Sequence, residues 1–272
     1  MPFHRFEEME SVQLTPHLSS AESPIIDGKY LYYCLNQKKA GTGSELHYHP
    51  NELLIFNVMG NINAVVGKDR RIVPPGTFIL VPPNVRHSMK AAEDGPIAYL
   101  YIKDRTWTVV GIAADERLPD SAMSVEDAAE KMAAGEIVDR KGGGVKFSDE
   151  GHEDIIIEGV PDCYYPMING LDAPYRKGKQ ITWIEGERSA FGFFELPNGY
   201  EDKCNSADHE YIYYVLDGAV KARVGNEEKD VAPAGIIEIP KGTAYELIVD
   251  AGTPTRLAAV RSSTFLEGKI TD

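Results

Sequence analysis

The chain has 272 residues, 43% hydrophobic and 26% charged, enough to build the cores of two domains of ordinary size. Its formal charge of -14 excludes partners that present a phosphate backbone or an anionic bilayer, because binding these requires a basic surface. No apolar run has the length of a membrane span or a secretory leader, and the three cysteines, Cys34, Cys163 and Cys204, are odd in number and far apart. The expectation is a cytoplasmic protein with reduced thiols and no nucleic-acid or membrane partner.

In chain order, Lys29–Leu35, Leu53–Met59, Thr77–Val81 and Ile97–Lys103 are short runs rich in Val, Ile, Tyr and Phe. Pro74-Pro75-Gly76 and Pro82-Pro83-Asn84 punctuate them as turns, which is an all-β pattern. Ser124 to Ile137 is the one strong helical stretch, with Ser124 as its cap and acidic residues in its first turn, and Lys141 to Gly144 follows as a flexible joint.

The sequence then repeats. At an offset of 158, Gly41 falls on Gly199, Gly60 on Gly218 and Pro82 on Pro240, and the segment 52–60 aligns with 210–218. The repeat predicts two tandem β-barrels: an N-terminal metal-binding domain over 1–115, a helical linker over 116–145 and a C-terminal domain without a metal site over 146–272. The segment from about 145 to 180 is expected to pack on the second barrel or to bridge the two. Barrels with edge strands commonly cover them by pairing, so the predicted assembly is a homodimer.

Three of the seven histidines sit at repeat landmarks. His47 and His49 are one residue apart, so on a strand both imidazoles point to the same side, ~7 Å apart, and can converge on one ion. His87, after the Pro82-Pro83-Asn84 turn, supplies a third nitrogen from another strand. In the second copy the offset replaces these ligands by Asn205, Ala207 and Tyr245, and Leu53 by Tyr211, so that interior is expected to be filled by Tyr and apolar side chains. Asp202, Cys204, Asp208 and His209 nearby read as a polar loop.

The spacing Gly41-x5-His47-x-His49-x3-Leu53-x6-Gly60 followed by Gly76-x5-Pro82-x-Asn84-x2-His87 resembles the two signature motifs of the cupin superfamily. That resemblance implies double-stranded β-helix barrels with the metal inside. Three positions depart from the pattern: Leu53 stands where the family has a metal-binding Glu, Asn84 replaces a Gly, and Ala91 replaces an Asn. Glu52, one residue before Leu53, could ligate through a register shift, and Glu45 shares strand parity with His47 and His49.

Three neutral imidazoles leave a divalent ion its full charge and favour an anionic chelating substrate. Imidazole suits several metals, with Fe(II) the expected ion and Mn, Ni, Zn or Cu compatible. Three-His sites with an apolar residue in place of Glu resemble those of gentisate-type and diketone-cleaving dioxygenases. The resemblance implies a non-haem Fe(II) dioxygenase acting on a small organic acid, phenol or β-dicarbonyl. Asn57, on the parity of Leu53, is the expected hydrogen-bond donor to substrate and Arg86 the expected carboxylate partner, whereas Tyr48 is expected to point outward. The alternatives are a metal-dependent isomerase, lyase or hydrolase with Glu45 or Glu52 as base, and a non-catalytic small-molecule-binding protein.

Overall fold

The structure, a computed structural model, describes residues 1–107, 110–141 and 162–263. Gly142 to Gly144 of the expected joint, and His152, lie outside the described residues. The strands, in chain order, are β1 (Phe3–Arg5), β2 (Ser11–Gln13), β3 (Glu22–Asp27), β4 (Leu31–Lys38), β5 (His47–Tyr48), β6 (Leu53–Met59), β7 (Ile62–Val66), β8 (Asp69–Val73), β9 (Thr77–Val81), β10 (His87–Ala91), β11 (Ile97–Asp104), β12 (Ile112–Ala113) and β13 (Tyr164–Pro166). They continue with β14 (Gln180–Glu185), β15 (Ser189–Leu196), β16 (Glu201–Cys204), β17 (Tyr211–Asp217), β18 (Val220–Val224), β19 (Glu227–Val231), β20 (Gly235–Ile239), β21 (Tyr245–Val249) and β22 (Thr255–Ser262). The predicted strands at 53–59 and 77–81 have the expected bounds.

The chain forms two compact units. One, the histidine unit, comprises Glu10–Ile25 and the described part of Tyr33–Gly170. The other, the second unit, comprises Met1–Met9, Ile26–Tyr32 and the described part of Leu171–Leu266. The units therefore differ from the expected division into 1–115 and 146–272 at three segments. Phe3, His4 and Arg5 pair antiparallel with Ile237, Ile236 and Gly235, so β1 extends a sheet of the second unit. The buried Glu210 carboxylate accepts the backbone N–H groups of Lys29, Tyr30 and Leu31 at 2.7, 2.7 and 2.8 Å, which fixes the segment 26–32 in that same unit. In the other direction, β13 pairs with β9 through Tyr164↔Ile79, so the described part of 145–180 is divided between the units at Gly170 and Leu171, which is the bridging alternative rather than packing on the second barrel alone.

In the histidine unit the strands form a seven-stranded sheet in the order β13-β9-β6-β11-β4-β3-β2 and a five-stranded sheet in the order β12-β5-β10-β7-β8. Side chains from both sheets meet in one interior, as alternation along each strand requires. Leu53 and Ile55 on β6, Tyr99 and Tyr101 on β11, and Asn36 and Lys38 on β4 line it from one sheet; His47 on β5 with His87 and Met89 on β10 line it from the other. The repeat landmark Gly60 has a φ of 71°, and a Cβ there would lie 2.1 Å from the Pro96 carbonyl oxygen, so the turn admits glycine alone. Asn84, in place of the motif Gly, adopts a φ of 63°, a conformation that Asn tolerates better than most residues.

The second unit pairs a six-stranded sheet, β1-β20-β17-β22-β15-β14, with a four-stranded one, β16-β21-β18-β19. Its interior is filled: Phe194, Tyr213, Val215, Ile237, Leu247 and Leu257 pack together, with Tyr211 and Tyr245 against them and Ala207 among them. This is the apolar filling expected at the positions equivalent to the histidines. The helix α1 runs over Val125–Ala133, shorter than the predicted stretch to Ile137, and Ser124 Oγ caps it by accepting the Asp127 N–H at 2.9 Å. No helix among the described residues is long and apolar enough to cross a membrane.

Candidate metal centre

The three histidines come together through strand pairing. β10 runs antiparallel to β5 with His87 directly opposite His47, and His49 follows two residues on, just past the end of β5. Ring centroids lie 4.3 Å apart for His47 and His87, 4.7 Å for His49 and His87, and 5.4 Å for His47 and His49. One ring nitrogen from each lies within 4.8 Å of the others, and all three residues are buried. Among the described residues this is the one group of three or more His, Cys, Asp or Glu side chains with such convergence.

Backbone carbonyls set the tautomers. Nδ1 of His47 donates to the Glu45 carbonyl at 2.7 Å and Nδ1 of His87 donates to the Val85 carbonyl at 2.9 Å, since a carbonyl can only accept. The proton is thereby held on Nδ1 and the lone pair on Nε2, the arrangement in which imidazole ligates a metal. Nε2 of His87 is buried with no hydrogen-bond partner among the described residues, and a divalent ion held by the three histidines would satisfy it. Burial, reinforced by mutual repulsion and nearby lysines, holds His47 and His49 well below the ordinary histidine range, and burial pushes His87 down to about 4. All three are neutral near pH 7 and need lose no proton to bind an ion.

The ligand rings are tightly confined. A Cβ added to Gly111 would come within 2.4 Å of His47 Cδ2, so only glycine lets the backbone before β12 close over that ring. Leu53, 1% exposed, lines the interior beside His47 and His87 as an apolar wall. The remaining cavity is about 20 Å³, bordered also by Asn36, Lys38, Ile55, Met89, Tyr99 and Tyr101.

The other sequence-derived candidates lie elsewhere. The Asn57 amide is held in the turn after β6, donating to the carbonyls of Gly60 at 2.8 Å and Val73 at 2.9 Å, and it does not line the cavity despite its parity with Leu53. Arg86 donates to the Asn84 carbonyl at 3.1 Å and stacks over Tyr48, 3.9 Å from the ring centroid, also away from the cavity. Tyr48 donates its hydroxyl to the Glu116 carbonyl at 2.9 Å. The Glu45 carboxylate pairs with Lys90 at 3.2 Å, so this residue serves the site through its backbone carbonyl. Glu52 is buried but stands outside the ligand group, and its repeat equivalent Glu210 is the carboxylate that caps three backbone N–H groups. Neither acid joins the three histidines.

Sequence reasoning missed the polar residues of the cavity. Lys38 is 4% exposed, donates from Nζ to the Met89 carbonyl at 2.6 Å and lies 5.4 Å from the Tyr99 ring centroid. Burial, with Lys90 adding repulsion, pushes its pKa down to about 7, and burial does the same to Lys103. Tyr101 places its hydroxyl 3.4 Å from His49 Nε2. The available signal was parity: Cys34, Asn36 and Lys38 alternate along β4, as do Tyr99, Tyr101 and Lys103 along β11.

Residues 37–103 match the family described as Cupin domain. No curated protein matches the chain. Among solved structures, a single-substitution variant of the oxalate decarboxylase of Bacillus subtilis superposes with a TM-score of 0.63 at 14% identity, over 99% of this chain and 78% of that one. A Bacillus subtilis oxalate decarboxylase structure concerned with its Mn(II) centres gives 0.62 at 14% identity, over 100% and 78%. AerE from Microcystis aeruginosa gives 0.62 at 13% identity, over 97% of this chain and 100% of that one.

Proposed function

Taking as premise a two-barrel cupin fold with a cupin domain over residues 37–103 and one three-histidine centre, we propose that the chain is a metal-dependent enzyme of a small chelating organic anion, and that its reaction is oxygen-dependent C–C cleavage with Fe(II). The observation that carries this is the ligand set: three buried, neutral imidazoles with Leu53 in the carboxylate position. His47, His49 and His87 would hold the ion, which as iron supplies electron transfer to dioxygen and as zinc only polarisation of a carbonyl. With no acidic ligand the ion keeps its full charge, and an enolate or carboxylate chelate is favoured over a neutral ligand.

The chain's own contribution is positioning and exclusion of water. Leu53, Ile55 and Met89 give an apolar lining that keeps solvent from a bound anion. The carbonyls of Glu45 and Val85 hold two imidazoles in orientation, and Gly111 confines the first of them. The test is oxygen uptake by anaerobically prepared, Fe(II)-reconstituted protein with short 2-oxo acids, β-dicarbonyl acids and phenols. Consumption of oxygen stoichiometric with substrate, and none with Zn(II), supports the reading; equal turnover under argon or with zinc overturns it.

A second reading, a metal-dependent decarboxylase or lyase that leaves oxygen unused, is favoured by the amine of Lys38 on the cavity and is consistent with the fold shared with Mn(II) oxalate decarboxylase. It predicts turnover under argon.

A further inference from the structure

Lysine is almost never fully buried without a charged partner. Lys38 nevertheless lies inside the histidine unit, and among the described residues no carboxylate pairs with its Nζ. Its one hydrogen bond explains little structurally. The Met89 carbonyl that accepts it at 2.6 Å also accepts the Ser44 N–H at 3.2 Å, and would remain satisfied without the lysine. An ammonium has three hydrogens, so donors are left over beside the cavity that Lys38 lines with His47 and His87.

A second donor is oriented beside it. Ser23 Oγ donates to Asn36 Oδ1, which turns the Asn36 amide nitrogen toward Tyr99, and that nitrogen donates to the Tyr99 hydroxyl at 3.2 Å. Tyr99 Oη thus acts as acceptor in this contact and keeps its own proton for another group. Lys38 Nζ lies 5.4 Å from the same ring, and both residues border the cavity. Leu53, Ile55 and Met89 give the same space an apolar side, and Thr15, Ser19 and Ser44 border it with hydroxyls but no carboxylate. The unpartnered Nε2 of His87, the ring of His47 and these donors therefore border one space, a combination that suits an anion with one set of oxygens on the ion and another on the donors.

We propose that Lys38, with Tyr99 beside it, is the specificity-determining anchor for the carboxylate oxygen that a substrate does not use in chelation, and that the site accepts small chelating carboxylates, namely 2-oxo acids and dicarboxylates. The proposal rests on the metal-site reading above and narrows its substrate class.

The experiment uses Co(II)-loaded full-length protein and follows the cobalt absorption during titration with oxalate and with oxamate. The two probes have nearly the same shape, but oxamate replaces one carboxylate by an amide and carries one charge fewer. Lys38→Met keeps the length of the stem and is expected to lower the oxalate-over-oxamate preference at least about tenfold, as loss of a hydrogen bond to a charged group implies. Tyr99→Phe should lower it by about threefold or more, and cobalt content should stay at the wild-type level in both. An unchanged preference in both variants overturns the anchor; if Lys38→Met does not fold, the Tyr99→Phe ratio alone decides. Failure of the wild type to bind Co(II) removes the metal-site reading itself, whereas a lost preference in a protein that consumes no oxygen leaves the anchor standing and overturns only the dioxygenase.

Discussion

A buried amine kept for ligand binding must cost stability, and Lys38→Met measures that cost. Burial holds Lys38 at about 7 against an ordinary 10.5. Between these values the unfolded chain holds a proton that the folded chain does not, so folded-state stability rises with pH across the window and is lowest at and below pH 7. At 1.36 kcal/mol per unit, the penalty at pH 7 is roughly 5 kcal/mol. The substitution removes that penalty and also removes the hydrogen bond to the Met89 carbonyl, about 1 kcal/mol, and the contact with the Tyr99 ring, about another 1 kcal/mol. The net expectation is stabilisation by roughly 3 kcal/mol at pH 7, fading toward pH 10.5, with Lys103 common to both proteins. Urea titrations of metal-free wild type and Lys38→Met at pH 7 and pH 10 read the difference from the shift in midpoint. A destabilised variant at pH 7, or a gain independent of pH, would refute the argument that an uncompensated amine is buried here.

Gly111→Ala places a Cβ where His47 Cδ2 now lies and must displace that ring, so metal affinity measured by competition with a chelator should fall at least about tenfold with the circular dichroism spectrum retained; unchanged affinity would mean that the ring is not confined by this contact. Leu53→Glu should add a fourth ligand, change the Co(II) absorption spectrum and weaken oxalate binding by lowering the charge of the site, and an unaltered spectrum would show that position 53 does not face the ion. For the metal-free protein, His87 at about 4 against 6.5 means that the unfolded state takes up a proton first as pH falls, so roughly 3 kcal/mol of stability should be lost between pH 6.5 and pH 4. Stability that stays flat across that interval would show that His87 is not buried as a neutral imidazole.

The fold was legible where the information is local or repeated. Alternation and turn residues mark β6 and β9 with their observed bounds, and the offset of 158 identifies two copies whose interiors differ as the replacements Ala207 and Tyr245 imply. The ligands were legible because His47 and His49 share parity and His87 follows a recognisable turn. What depends on distant partners was not. The assignment of residues 1–9 to the second unit rests on pairing with Gly235–Ile239, and nothing in the sequence of β1 names that strand. Asn57 has the parity expected of it, but two turn carbonyls capture its amide. Glu45 is drawn off by Lys90 and Arg86 by Tyr48, contacts between segments far apart in sequence. Lys38 was missed for the converse reason: the apolar run ends at Leu35, and a lysine at a strand end reads as solvated until β11 and β3 are seen on either side of β4.

The central claim, that one divalent ion is held by His47, His49 and His87 in the histidine unit alone, is tested most directly by elemental analysis of the protein after anaerobic loading with Fe(II) and removal of free metal. The account predicts one ion per chain, its loss in each of His47→Ala, His49→Ala and His87→Ala, and its retention in His209→Ala, which alters the second unit. Two ions per chain, or a full complement in the variant lacking all three histidines, would contradict it.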